Sequence, residues 1–277
     1  MPKVSIVVPC YNHGKYIDEA IQSVESIKDK SLYELIIVND GSKDEFTNSR
    51  LKELAAQGYN VIFQHNQGLA ASRNNAISAS SGEYILPLDA DNKIRPEYVY
   101  RGIEILENNK DISVVYGNAQ LFGDSTGIMR PGPYNLQKLM LGNYIDACAF
   151  YRREVWEKTG GYDKNMPFTG VEDWDMWLGA SFLGYRFRYV DEVLFDYRVL
   201  GDSMIRNLKA SKRKGDANQA YLMKKHEQFF GPQYVDEYFM SKFSGSAAGF
   251  MSKLLLKRYF PGKFRSMVEK GDLREYL

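Results

Sequence analysis

From Met1 to Phe122, short apolar runs alternate with stretches whose apolar positions recur every three or four residues. "VSIVV" (4–8), "YELIIVND" (33–40), "VIFQH" (61–65), "EYILPL" (83–88) and "SVVYG" (113–117) have the β-branched and aromatic content of strands. Between the first two, Tyr16, Ile17, Ala20, Ile21 and Val24 fall on one helical face. Asp44 is placed to cap a helix ending near Gly58, residues 69–79 read as another helix, and Pro96 opens a fourth where its missing N–H costs nothing. Strands apolar on both faces, alternating with helices, predict an α/β fold with a mostly parallel sheet flanked by helices.

Beyond Phe122 the alternation breaks. "GDSTGIMRPGPYN" (123–135) reads as a Gly/Pro-rich loop, followed by a short helix (136–141), a strand "ACAFYR" (147–152) and a helix (153–159). "GVEDWDMWLGASFLGYRFRYV" (170–190) reads as a helix and then a strand. From Ile205 the pattern is helical, so the expected organisation is an α/β domain over 1–204 with a basic helical appendage over 205–277.

Charge sharpens that division. Lys and Arg number 36 against 35 Asp and Glu, a net of +1 that argues against nucleic acid as the main partner. Residues 201–277 hold 15 basic and 8 acidic side chains, a surplus of 7 that leaves −6 on the rest. Within this tail, "GFMSKLLLKRYFPGKF" (249–264) sets Phe250, Met251, Leu254, Leu255 and Tyr259 along one stripe flanked by Lys253, Lys257 and Arg258. Such a helix suits packing on the α/β domain, an oligomer contact or peripheral contact with an anionic membrane. "MPKVSIVVPCYNHG" reads as a first strand and not a signal peptide, and no run has the length of a membrane span. Cys10 and Cys148 fit neither a disulfide framework nor zinc spacing, and the expected compartment is the cytoplasm.

In open α/β sheets ligands bind beyond the carboxyl ends of the strands, which brings residues 9–12, 39–42 and 89–92 to one edge. The first of these turns, "PCYNHG", lacks the glycines of a dinucleotide site, and no phosphate-cradling G-x-x-x-x-G-K-[ST] occurs anywhere. A divalent cation is then the natural partner for a pyrophosphate. Asp89 and Asp91, one residue apart at a strand end, suit Mn²⁺ or Mg²⁺ shared with phosphate oxygens, although an acidic turn alone gives the same letters. Tyr11 offers a face for a base and Asp40 an acceptor for a uracil N–H, while "DGS" is also a plain turn signal. Arg73 can reach the pyrimidine or the diphosphate, or sit on a solvated helix face. In "VEDWDMW", Glu172, Asp173 and Asp175 begin a helix whose dipole favours them, and Trp174 and Trp177 either desolvate a general base and face a sugar ring or fill the core.

With these residues in view, the chain resembles the inverting family 2 glycosyltransferases of the glycosyltransferase A fold. "VSIVVPCYNHGKYIDEAIQSV", "ELIIVNDGS", "NQGLAASRNNAI", "GEYILPLDADN", "GGYD", "EDWDMWLGASFLGYRFRYV" and "DYR" carry the resemblance, over residues 3–204. It implies a nucleotide-sugar half over 1–122 and an acceptor half over 123–204. It further implies that Pro9, Tyr11, Asn12, Asp40, Arg73 and Asp89 bind the donor, that Asp91 with Asp89 holds Mn²⁺ or Mg²⁺, and that Asp173 is the catalytic base with Glu172 beside it. Members carry a His shortly after the "YR" motif; here "DYRVLGDS" has Leu200 there, which leaves a third protein ligand in question. The expected donor is a UDP-sugar and the acceptor a hydroxyl of a glycan, a glycoprotein or a lipid-linked saccharide. The competing readings are a binding protein without turnover, whose mark would be a broken acid set, and a sugar nucleotidyltransferase, which would need a Gly-rich basic loop after the first strand.

Overall fold

A computed structural model describes residues 1–201, 211–230 and 247–269. The chain divides into two compact units, Met1–His226 and Glu227–Leu277.

The first unit is built on nine strands: β1 (Val4–Cys10), β2 (Tyr33–Asp40), β3 (Asn60–Gln64), β4 (Tyr84–Pro87), β5 (Lys93–Ile94), β6 (Ile112–Gly123), β7 (Gly127–Met129), β8 (Phe150–Arg152) and β9 (Arg186–Val199). They form one sheet in the order β3-β2-β1-β4-β8-β6-β9-β5, with β7 on β6. The β3-β2-β1-β4 part is parallel throughout, as the uninterrupted apolar runs require. All seven residues of β1 are buried, because helices cover both faces of the sheet.

Between these strands run α1 (Gly14–Glu25), α2 (Glu45–Ala56), α3 (Leu69–Ser78) and α4 (Pro96–Asn108). α1 buries Ile17, Ala20, Ile21 and Val24, four of the five positions on its expected face. Asp44 caps α2 by accepting from Thr47 N at 2.9 Å. Gly14 packs the start of α1 onto α2: its N–H donates to Thr47 Oγ1 at 2.8 Å, and a Cβ there would fall 2.5 Å from Thr47 Cα.

The second half departs from the periodicity in three places. The Gly/Pro-rich loop contains β7, whose hairpin with β6 runs from Ala119 opposite Met129 to Leu121 opposite Gly127. The strand expected over 147–152 shrinks to β8, because residues 143–149 form a loop held by side-chain hydrogen bonds. β9 continues past Val190 to Val199 and pairs with both β6 and β5, so one 14-residue strand ties the sheet's far edge together. α5 (Leu136–Leu141), α6 (Arg153–Thr159), α7 (Glu172–Phe182) and α8 (Lys212–Lys225) complete the unit. The junction expected at 204/205 lies among residues 202–210, outside the described residues.

The second unit contributes α9 (Ala247–Tyr259) and α10 (Pro261–Glu269). Met251, Leu255 and Tyr259, part of the expected stripe on α9, are exposed. No helix among the described residues is long and apolar enough to cross a membrane.

Candidate active site

Three turns meet beyond the carboxyl ends of β1, β2 and β4. Pro9 is buried within β1 opposite Val38, past the last β1–β4 pair (Val7 with Pro87), so its missing N–H breaks no bond to β4. Tyr11 follows and is 39% exposed. Asn12 turns the chain with φ of 56°, a left-handed conformation that Asn tolerates, and its Oδ1 accepts from Lys43 N (2.8 Å) and Asp44 N (3.1 Å). It thus knots the turn after β1 to the turn after β2.

Asp40 is buried and closes the next turn. Its Oδ1 accepts from Gln64 Nε2 (2.7 Å) and Gln67 N (2.8 Å), and its Oδ2 from Gly68 N (2.9 Å). Those bonds fix the entry to α3 and so the position of Arg73, one turn further on. Asp40 and Asn12 thus both accept from backbone N–H groups of these turns.

Arg73 is 2% exposed, which excludes the solvated-face alternative. Its Nη2 donates to Asp89 Oδ1 at 2.7 Å and its Nη1 to Glu172 Oε1 at 2.8 Å, while Tyr162 lies with its ring centroid 5.3 Å from Cζ. Both charged ends are therefore taken by protein carboxylates. One oxygen of Glu172 faces Arg73 and the other accepts from Gly170 N at 2.8 Å, so this acid is structurally committed and buried. Asp89, at the end of β4, and the first turn of α7 are thereby tied to one guanidinium.

Asp173, next in α7, is half-buried. Its Oδ1 accepts from Trp174 N and its Oδ2 from Asn143 Nδ2, both at 2.8 Å. Burial, then repulsion from Glu172, pushes its carboxyl up to about 8, against the pull of Arg73. A second acid, Asp146, is raised to about 6 by burial and by Asp89. No simple spacing marks Asn143 as a partner of Asp173, since both reach the crevice only when residues 142–149 loop back over α7.

The tryptophans take the core role. Trp174 and Trp177 are 8% and 0% exposed, which leaves neither face for a sugar. Their indole N–H groups donate to Leu139 O (2.6 Å) and Ile145 O (3.2 Å), anchoring α5 and the 142–149 loop to α7. The third acid of the motif, Asp175, points the other way and is held by Lys225 Nζ at 2.7 Å and His226 Nε2 at 2.9 Å.

Residues 5–160 match the glycosyl transferase family 2 family. The chain belongs to that family. It is 26% identical over 224 residues to an uncharacterised glycosyltransferase of Methanocaldococcus jannaschii, covering 76% of each chain. It is similar in structure to S. aureus TarS 1–349 in complex with UDP-GlcNAc, with a TM-score of 0.58 and 20% identity over 74% of this chain and 60% of that one. It is also similar to the mannosyltransferase PcManGT from Pyrobaculum calidifontis in complex with GDP-Man and Mn²⁺, with a TM-score of 0.57 and 16% identity over 96% of this chain and 82% of that one. At these identities the two structures establish the glycosyltransferase A fold, and the chain spans about three fifths of the TarS chain.

A divalent cation is common in such folds, and this family 2 chain has a place that fits one. Asn92 N donates to Asp89 O at 3.0 Å, closing a turn that carries Asp89 and Asp91 together. Asp91 is mostly buried, and burial followed by repulsion from Asp89 raises it to about 6. A cation would relieve both causes. A nearby base is His13, whose Nδ1 lies 3.9 Å from Asp91 Oδ2, a residue the sequence reading passed over. Arg198 fixes the turn from beneath: its Nε donates to Asp91 O at 2.9 Å while Tyr16 and Phe122 flank its guanidinium. Among the described residues no three His, Cys, Asp or Glu side chains converge to cage a metal, so phosphate and water oxygens would complete the shell.

The buried Arg73 bridge yields a direct prediction. Arg73→Met strands Glu172 without its counter-charge and should lower the unfolding free energy in urea by about 3–5 kcal/mol. A change under about 1 kcal/mol would mean that the bridge carries no structural weight.

Proposed function

We propose that this protein is an inverting glycosyltransferase that moves a sugar from a nucleoside diphosphate donor, UDP-sugar favoured, to a hydroxyl of a glycan, a glycoprotein or a lipid-linked saccharide. The carrying observation is that Arg73 bonds both Asp89, in the turn with Asp91, and Glu172, beside Asp173, a carboxyl raised toward neutrality. Family membership supports transfer chemistry, and the intact acid set favours it over binding without turnover.

In this reading Tyr11 stacks on the base and Asp89 meets the ribose end of the donor. Pro9, Asn12, Asp40 and Arg73 complete the donor's surroundings, besides shaping and holding those turns. Asp91, joined by Asp89 and with His13 close by, would hold Mn²⁺ or Mg²⁺. When bound, that cation supplies positive charge for the departing diphosphate. Asp173 accepts the proton of the acceptor hydroxyl as its oxygen forms a bond to the anomeric carbon. The bond from that carbon to the diphosphate oxygen breaks on the opposite face, the electron pair leaves with the nucleotide, and the configuration inverts. Glu172 and Arg73 set where Asp173 stands.

A base must be deprotonated to act, and Asp173 is raised to about 8 from an ordinary value near 4. The rate constant kcat/KM should therefore climb with pH, about tenfold per unit at first, and level off near 8. Because the folded state disfavours its ionised form, this group reduces stability above its unfolded pKa, increasingly up to about 8. Asp173→Asn should then cut kcat by about 10²–10⁴-fold, keep UDP binding, and be at least as stable as the parent at that pH. Near-normal turnover in this variant would end the assignment. Separately, Asp91→Ala should abolish the Mn²⁺-dependent tightening of UDP measured by calorimetry, and full retention of that tightening would remove the metal from Asp91.

A further inference from the structure

The loop between α5 and β8 carries a carboxylate that the reaction just described does not use. Asp146 accepts from Cys148 N at 2.9 Å through Oδ1, while Oδ2 has no hydrogen-bond partner among the described residues. The backbone around it is fixed at three points. Asn143 donates to Asp173 at 2.8 Å, Ile145 O receives the Trp177 indole N–H at 3.2 Å, and Cys148 O receives the Tyr98 hydroxyl at 2.8 Å. The side chain is thus preset before any ligand arrives.

Its loop says where it stands: Asn143, three residues before it, is bonded to Asp173, and Trp177 ties Ile145 to α7, whose Glu172 meets Arg73 and through it Asp89; the electrostatic neighbours agree. Asp89 and Asp91 both repel Asp146, Arg73 attracts it, and Asp146 in turn raises Asp173. It therefore lies within the field of the donor turn and of the base together. In a single displacement the anomeric carbon must lie between the leaving diphosphate and the base, so the transferred ring spans the interval in which Asp146 sits. A carboxylate only accepts hydrogen bonds, and ring hydroxyls are neutral donors that match it. Asp146 is half-buried, so a ligand hydroxyl can reach its second oxygen.

We propose that Asp146 reads the transferred sugar, its free carboxylate oxygen accepting a hydrogen bond from a ring hydroxyl of the donor's hexosyl unit. This rests on the reading of the chain as a sugar-nucleotide-dependent transferase. Asp146 contacts the sugar and not the nucleotide, so its removal separates the two affinities. It also discriminates among donors by hydroxyl orientation, because sites built to pair a hydroxyl reject sugars that misplace it.

The test is calorimetry with Mn²⁺ on the full chain, comparing UDP with UDP-glucose, UDP-galactose, UDP-N-acetylglucosamine and UDP-N-acetylgalactosamine, and GDP with GDP-mannose. Asp146→Asn, which keeps an oxygen for Cys148 N, and Asp146→Ala serve as variants. For the donor that the parent protein prefers, both variants should lower the affinity of the nucleotide sugar relative to its bare nucleotide by about tenfold or more. Binding of the bare nucleotide should stay within about twofold, and the ranking of the sugars should flatten. An unchanged ratio would overturn the proposal, as would a parallel loss of bare nucleotide, which would place Asp146 on the metal or the diphosphate. If the parent binds none of these compounds, the proposed function itself fails and the inference goes with it.

Discussion

One buried guanidinium holds the two sides of this crevice together. Arg73 leaves α3 with both terminal nitrogens committed, one to Asp89 at the end of β4 and the other to Glu172 in the first turn of α7, 99 residues further along the chain. Taking an arginine and a glutamate out of water is expensive, and the arrangement persists only because the pair is hydrogen-bonded as well as charged. Everything upstream serves it. Asp40 fixes the start of α3 through Gln67 N and Gly68 N, and Asn12 ties the first turn to the second. The bridge therefore sets the distance between the Asp89/Asp91 turn and α7.

Around it the crevice is rich in negative charge. Asp89, Asp146, Glu172 and Asp173 interact with Arg73, Asp91 with Asp89, and three of these acids (Asp91, Asp146 and Asp173) have carboxyls raised by burial and by repulsion from neighbouring acids. An anionic diphosphate has no reason to enter such a place alone. A cation that arrives with it lowers the cost for both, which links the depressed acidity of Asp91 to donor binding. Asp173 is raised in its turn by burial and by Glu172.

Much of this was legible in the sequence because it is local. The buried β-branched runs, the Asp44 cap and Pro96 at the start of α4 follow from periodicity and chain chemistry, and motif order gave the family and the fold. What escaped depends on tertiary encounter. Trp174 and Trp177 sit in an acidic, sugar-like context, yet their faces pack in the core and only their N–H groups act, on Leu139 O and Ile145 O. His13 lies in a turn whose letters promise nothing, and it approaches Asp91 only because β1 and β4 are neighbours. Asn143 reaches Asp173 through a loop that periodicity read partly as strand.

The central claim is that Arg73 couples Asp89 to Glu172 as one unit. A double-mutant cycle measures this directly: unfolding free energies of the parent, Asp89→Asn, Glu172→Gln and the double variant, in urea at pH 7. Coupling through the shared guanidinium predicts a departure from additivity of about 1 kcal/mol or more. Free energies that add within about 0.3 kcal/mol would mean that the two carboxylates act independently, and the account of a bridged crevice would be contradicted.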